Sequence, residues 1–485
     1  MNGRVVAAAT WFEAGWWARQ LFRACSRYPG PFVVAAAAGW LLLPLAPVRV
    51  LVGLVVAVVA LRASARLEPV GFQRIVVGPG VRRYRCWSMR RRWPELAAAC
   101  GLGIQPVTRR SPRPGRHNEV PAPAIPKLVR VTAEGPRVRL RVRPLVGQTF
   151  DDIEKAAERL RTAVGASRVR NDPLGPNEAE LTLTMGDALA APFTASSPTQ
   201  TEPLLASRVA MGRVEDGSTW MLPLGPHTLV AGCSGAGKGS VFWSFAFALA
   251  PAVRAGLVRL HGVDLKGGME ILMGAELFTM RATNAAEAVV LLESLVEQLR
   301  RRTTAYAGHV RSHVPTVDQP LHVVMIDELA ALTAYCPGRD IQRRAELAIN
   351  LLCSQGRAPG FMVFACLQDP RKEVIPNRGL FTQMVGLRLK DISETAMVLG
   401  ESAVNSGAHC HRITPRTPGL GYVVPEDGGY PIRVRAGFAS DRVIRSVATS
   451  FATPTRQPID AAADLRRDPL GSTRRLGATR EKGGA

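Results

Sequence analysis

Nine consecutive residues, Gly232, Cys233, Ser234, Gly235, Ala236, Gly237, Lys238, Gly239 and Ser240, separate a short apolar run over 228–231 from a longer one over 241–250. The first run is strand-like and the second helix-like, so the nonapeptide lies where a strand turns into the N-terminus of a helix. In that setting glycines let successive backbone N–H groups turn toward a polyphosphate. The Lys238 ammonium reaches the β- and γ-phosphates, and the helix N-terminus favours their negative charge. The pattern therefore reads as a phosphate-binding loop. It departs from the common form G-x-x-x-x-G-K-[ST] at one place: Gly239 stands where a Ser or Thr hydroxyl ordinarily holds magnesium, and Ser240 is the nearest substitute.

Two later strands complete the pattern. Residues 321–326 form a mostly apolar run that ends in Asp327 and Glu328. Such a run is buried in a parallel sheet, and the carboxylates emerge at its carboxyl end. This is a Walker B arrangement, with Asp327 organising Mg²⁺ and Glu328 polarising the attacking water. A second run, 361–367, ends in Gln368, whose side-chain amide is placed to sense the γ-phosphate. The expected ligands are ATP and Mg²⁺, with Ser240 and Asp327 toward the metal, and the expected reaction is ATP hydrolysis.

A chain of 485 residues has length for two or three cores. Its 62 lysines and arginines against 39 acidic residues give a net charge of +23, which points to a polyanionic partner, nucleic acid or anionic lipid. The eight cysteines are scattered singly without a CxxC pair, as suits a reducing compartment. His409, Cys410 and His411 resemble metal ligands only superficially, because adjacent residues diverge in a strand and no second half-site accompanies them.

Residues 32–46 and 50–61 are almost free of charge, with Arg19, Arg23 and Arg27 before them and Arg62 and Arg66 after. The pattern predicts an N-terminal transmembrane helical hairpin with both ends in the cytoplasm; each half is short of the roughly 20 residues of a spanning helix. A single spanning helix and a buried soluble hairpin are the alternatives. The expected organisation is a membrane anchor over 1–66, a basic linker over 67–127, a small α/β module over 128–198, a motor over 199–452 and a disordered basic tail over 453–485. Strands alternating with helices in the motor predict an α/β fold with a parallel sheet covered on both faces.

The order and spacing of these motifs resemble the FtsK/SpoIIIE family of hexameric DNA translocases, over about residues 128–440. The matching segments are 232–240, 264–270, 325–329, 355–360 running into Gln368, and 418–422. The Lys-Gly-Ser form of the phosphate loop and the short anchor look like the actinobacterial plasmid-transfer branch. The resemblance implies a RecA-like P-loop motor, anchored in the cell membrane with its ATPase domain cytoplasmic, working as a homohexamer on double-stranded DNA at a septum or cell contact. Its task would be conjugal transfer or chromosome segregation. The resemblance also implies that Arg357 is an arginine finger reaching a neighbouring subunit's γ-phosphate, and places Arg388 and Lys390 near a nucleotide-reading position. A protein-secretion motor of the same superfamily is the alternative, disfavoured by the single phosphate loop.

Overall fold

The computed structural model describes residues 78–104, 123–199, 207–336, 338–371, 378–425 and 429–457. The expected hairpin over 1–66 and the tail beyond 457 lie outside the described residues. Among the described residues no helix is long and apolar enough to cross a membrane. The chain divides into two compact units, Met1–Gly186 and Asp187–Ala485.

The first unit contains helix α1 (Gly78–Ala99), strands β1 (Lys127–Glu134) and β2 (Arg137–Arg143), helix α2 (Phe150–Val164) and strands β3 (Ala166–Gly175) and β4 (Glu178–Met185). The strands form an antiparallel sheet in the order β1-β2-β4-β3. Strict alternation in β2 sends Val138, Leu140 and Val142 into the core at 0 % exposure, while the intervening arginines face away. Ile153, Ala156, Ala157 and Leu160 of α2 join the same core.

The expected basic linker over 67–127 is corrected here. Within it, Met89, Trp93, Leu96 and Ala97 recur at helical spacing on α1 and are buried against Val131, Leu140 and Ile153. The Trp93 indole N–H donates to the Pro126 carbonyl at 2.9 Å, which satisfies its one polar group. The other arginines of α1 are exposed, while Arg85 is half-buried and donates to the Gly135 carbonyl at 2.5 Å.

The second unit is built on a ten-stranded sheet in the order β6-β5-β14-β13-β12-β7-β11-β10-β8-β9. Its strands are β5 (Arg208–Val214), β6 (Thr219–Pro223), β7 (Thr228–Ala231), β8 (Val258–Val263), β9 (Phe278–Ala282), β10 (Leu321–Ile326), β11 (Phe361–Leu367), β12 (Gln383–Gly386), β13 (Leu420–Val423) and β14 (Ile432–Ala436). From β12 to β9 every pair is parallel. The expected parallel sheet is thus corrected to a mixed one, because β13, β14, β5 and β6 extend it with antiparallel pairs. Four residues link β5 to β6, long enough for a hairpin and too short for a parallel crossover.

Helix α3 (Lys238–Arg254) covers one face of this sheet, and α4 (Ala285–Tyr306) with α5 (Arg339–Gln355) covers the other. Alternate residues of β10 therefore serve opposite cores: Val323 and Met325 pack with Phe242 and Phe364, Val324 and Ile326 with Leu292 and Leu352. Across the second layer, Arg344 of α5 makes a two-pronged ion pair with the buried Glu293 of α4, both contacts at 2.7 Å.

Two boundaries also move. Residues 187–198, expected in the small module, belong to the motor unit. Asp187 accepts from Arg433 at 2.9 Å, and the backbone bonds Ala195 to Phe438 and Phe438 to Phe193 at 3.0 and 2.7 Å hold the segment there. Residues 453–457, expected at the start of the disordered tail, are instead held in place. Thr453 is buried, and the N–H groups of Thr453 and Gln457 donate to Glu276 and Thr279 carbonyls at 2.8 and 2.9 Å.

Trp93→Ala is expected to destabilise the first unit by about 3–5 kcal/mol. Backbone hydrogen exchange should show lost protection across residues 89–102 and 131–142 with the motor sheet unaffected; unchanged protection at 89–102 would refute the packing of α1.

Candidate active site

Parallel pairing gives β12, β7, β11, β10 and β8 one direction, so their carboxyl ends emerge along a single edge. The glycine-rich loop follows β7, Asp264 follows β8, Asp327 and Glu328 follow β10, Gln368 follows β11, and Arg388 comes shortly after β12. Because β11 lies between β7 and β10, the Gln368 turn separates the loop from the acidic pair. Backbone bonds stitch these turns together: Gly232 N–H to Leu367 carbonyl at 2.9 Å, Leu329 N–H to Cys366 carbonyl at 2.8 Å and Asp327 N–H to Val263 carbonyl at 3.0 Å.

The loop itself is braced on both sides. Cys233 N–H donates to the Arg388 carbonyl at 2.9 Å, the Arg388 guanidinium donates to the Ser234 carbonyl at 2.7 Å, and Gly419 N–H donates to the Ala236 carbonyl at 2.8 Å. Gly237 has φ 93°, and a Cβ there would fall 2.1 Å from the Gly419 nitrogen. Position and conformation together restrict it to glycine. Lys238 opens α3 and folds back across the loop, its Nζ donating to the Gly232 carbonyl at 2.8 Å and the Cys233 carbonyl at 3.4 Å. Burial lowers the Lys238 ammonium from its ordinary pKa, and the Glu328 and Asp327 carboxylates oppose that shift.

Opposite the loop, Asp327 and Glu328 are 8 % and 9 % exposed. Asp327 Oδ2 accepts from Lys266 Nζ at 2.8 Å. Glu328 Oε1 accepts the Gln368 backbone N–H at 3.2 Å, while its Oε2 has no hydrogen-bond partner among the described residues. Burial raises the Glu328 carboxyl above its ordinary value, against the lowering effects of that N–H and of Lys238. A buried, half-satisfied carboxylate beside an ammonium is poised to accept from a polar ligand such as water.

The segment after β8 adds residues to which sequence reasoning assigned no role. Asp264 is 1 % exposed and accepts the backbone N–H groups of Lys266 and Glu270 at 2.9 and 2.7 Å, which curls the chain so that both side chains return to the site. Glu270 in turn accepts the Trp243 indole N–H at 2.5 Å. The available signal was the charge pattern Asp264, Lys266, Glu270 immediately after an apolar strand.

The structure thus places Lys238, Asp327, Glu328 and Gln368 along one edge, with Ser240 half-buried in the first turn of α3. Arg357 is not among them. It is exposed and precedes β11, so the whole strand separates it from Gln368, roughly 20 Å at about 3.3 Å per residue. Arg388, in contrast, touches the loop of its own chain. Cys410 is buried with its thiol donating to the Gly386 carbonyl at 3.3 Å, and among the described residues no three or more His, Cys, Asp or Glu side chains are grouped so as to hold a metal ion by themselves.

Gly237→Ala is expected to destabilise the motor unit by at least about 1–2 kcal/mol, the cost of a Cβ in the left-handed region, since the backbone contact with Gly419 adds to it. Gly379→Ala, where a Cβ meets nothing within 4 Å, is the control; equal thermal unfolding of the two variants would contradict the braced loop.

Comparison with known proteins is consistent with this arrangement. The family described as actinomycete conjugal transfer protein N-terminal domain matches residues 69–185, and the FtsK/SpoIIIE family matches residues 208–319. Transfer protein TraSA of Streptomyces ambofaciens is 27 % identical over 394 residues, covering 75 % of this chain and 91 % of that protein. DNA translocase FtsK of Streptococcus pyogenes serotype M1 is 24 % identical over 364 residues, 68 % of this chain; the chain spans 43 % of that relative's length. Among solved structures, the pCW3 conjugation coupling protein TcpA with ATPγS is similar at 17 % identity and a TM-score of 0.45, over 68 % of this chain and 93 % of that one. One family model thus matches within each unit and the relatives align across both, so the chain resembles the FtsK/SpoIIIE family and, within it, the Tra-type branch.

Proposed function

We propose that the chain is an ATP-hydrolysing translocase of double-stranded DNA that acts in conjugal transfer. The observation that carries this reading is the convergence of Lys238, Asp327, Glu328 and Gln368 on one sheet edge in a chain that resembles this family.

The loop N–H groups and Lys238 bind the β- and γ-phosphates, Lys238 exchanging its present carbonyl partners for phosphate oxygens. Glu328, whose free Oε2 is already desolvated, orients the attacking water and accepts its proton. Gln368 is tied to Glu328 through its backbone N–H, so loss of the γ-phosphate is transmitted to the strand that leads back to Arg357. The donors near Asp327 suit Mg²⁺: hard carboxylate oxygens, one of them presently accepting from the Lys266 ammonium, which a divalent ion would relieve of its role. Asp327 would hold the metal together with a group beside Gly239, for which the sequence offers Ser240. Bound Mg²⁺ supplies positive charge against the triphosphate oxygens.

Arg357, exposed and on the far edge, serves the nucleotide of a neighbouring subunit. The chain therefore works as a ring, a homohexamer, in which each site is finished by the next protomer. Residues 1–66 anchor the ring in the membrane, and the motor lies on the cytoplasmic side. The whole chain's net charge of +23 suits a phosphate-lined cargo gripped without regard to base sequence.

The deciding experiment is ATP turnover by the full-length protein, wild type and Lys238→Ala, with and without double-stranded DNA. DNA is expected to stimulate the wild type, and the substitution to lower turnover by about 10²–10³-fold. Lys238-dependent turnover that ignores DNA would overturn the DNA cargo in favour of a polypeptide.

A further inference from the structure

Position 239 is glycine where the common phosphate loop places a hydroxyl, and the structure shows what fills the space. A Cβ on Gly239 would lie 3.0 Å from Glu270 Oε1, 3.5 Å from its Cδ and 3.6 Å from Oε2. The side chain that position 239 lacks would therefore point straight at the Glu270 carboxylate. Ser240 does not point there, because one residue along a helix turns about 100° around the axis.

Glu270 is held in this place from two directions. Its backbone N–H donates to Asp264 Oδ2 at 2.7 Å, and its Oε1 accepts the Trp243 Nε1–H at 2.5 Å. Trp243 is 1 % exposed and stands four residues after Gly239 on α3, so the bare position and the indole N–H share one helix face. Glycine at 239 and glutamate at 270 thus fit each other sterically.

We propose that the two residues form an exchanged pair: the Glu270 carboxylate takes the place of the loop hydroxyl and, with Asp327, provides the oxygen donors for the divalent cation of the nucleotide complex. The inference rests on the ATPase reading above and replaces Ser240 in it. Glu328, 9 % exposed with Oε2 unpartnered and read above as the acceptor from the attacking water, shows that this edge is unfinished without its polar ligands.

The test is the Mg²⁺ concentration at which the full-length protein half-saturates with a fluorescent, non-hydrolysable ATP analogue, read without turnover. Glu270→Ala is expected to raise that concentration by about 10–100-fold, the range seen when metal-site support is lost. Metal-free analogue binding should stay unchanged. Glu270→Gln keeps the size of the side chain and its bond from Trp243, removes only the charge, and should move the midpoint the same way. Gly239→Ser alone should also raise the Mg²⁺ midpoint, because its side chain meets Glu270. The double variant Gly239→Ser with Glu270→Ala, which restores the common hydroxyl into the vacated space, should recover most of the loss.

An unmoved midpoint in both Glu270 variants, with normal wild-type binding, overturns the exchanged pair alone. A double variant no better than Glu270→Ala does the same. Failure of the wild type to bind the analogue at any Mg²⁺ concentration overturns the ATPase reading on which the pair depends.

Discussion

The parallel hydrogen bonding of β12, β7, β11, β10 and β8 is the constraint from which the chemistry follows. Each of these strands can only be joined to the next by a crossover, so every turn that begins at a strand's carboxyl end opens onto the same edge. Five turns distant in sequence become neighbours without any of them needing a special fold. The same constraint excludes Arg357: it precedes β11, and a residue before a strand lies on the other edge from one that follows it. A single chain thus presents the phosphate loop and Arg357 on opposite edges of the sheet, as the proposed ring requires.

Within the edge, electrostatics sets the tension that a ligand resolves. Asp264, Glu270, Asp327 and Glu328 face few cations, with Lys266 on Asp327 and Lys238 bent back onto loop carbonyls. Burial strengthens each of these interactions and makes every unpartnered oxygen costly. The raised carboxyls of Glu270 and Glu328 and the lowered ammonium of Lys238 all record charge held out of water. Backbone ties to Asp264, Gln368 and Gly419 keep these groups in place before any nucleotide arrives, and such preorganisation is where catalytic stabilisation originates.

The phosphate loop was legible in the sequence because its backbone admits only glycine at certain positions, as Gly237 with φ 93° illustrates. The strands ending at Asp327 and Gln368 were legible because burial on both faces leaves uninterrupted apolar runs. Helix α1 was not, since Met89, Trp93, Leu96 and Ala97 are interleaved with arginines and a proline that mimic a linker. Nor was the 187–198 segment, which is fixed by backbone bonds to residues far away in the chain and not by any pattern of its own. The Gly239 departure was visible as an anomaly. Its partner was not, because Trp243 and Glu270 come together only through the packing of α3 against the turn after β8.

In the proposed ring a complete site is assembled from Lys238 of one protomer and Arg357 of the next. It is tested most directly by mixing two full-length variants, Lys238→Ala and Arg357→Ala, and measuring DNA-dependent ATP turnover. Each variant alone should be nearly inactive, since a trans-acting arginine contributes about 10³–10⁵-fold. An equal mixture should regain turnover, because roughly a quarter of randomly formed head-to-tail interfaces then pair an intact lysine with an intact arginine. A mixture no more active than its parts, or full activity of Arg357→Ala alone, would contradict the shared site.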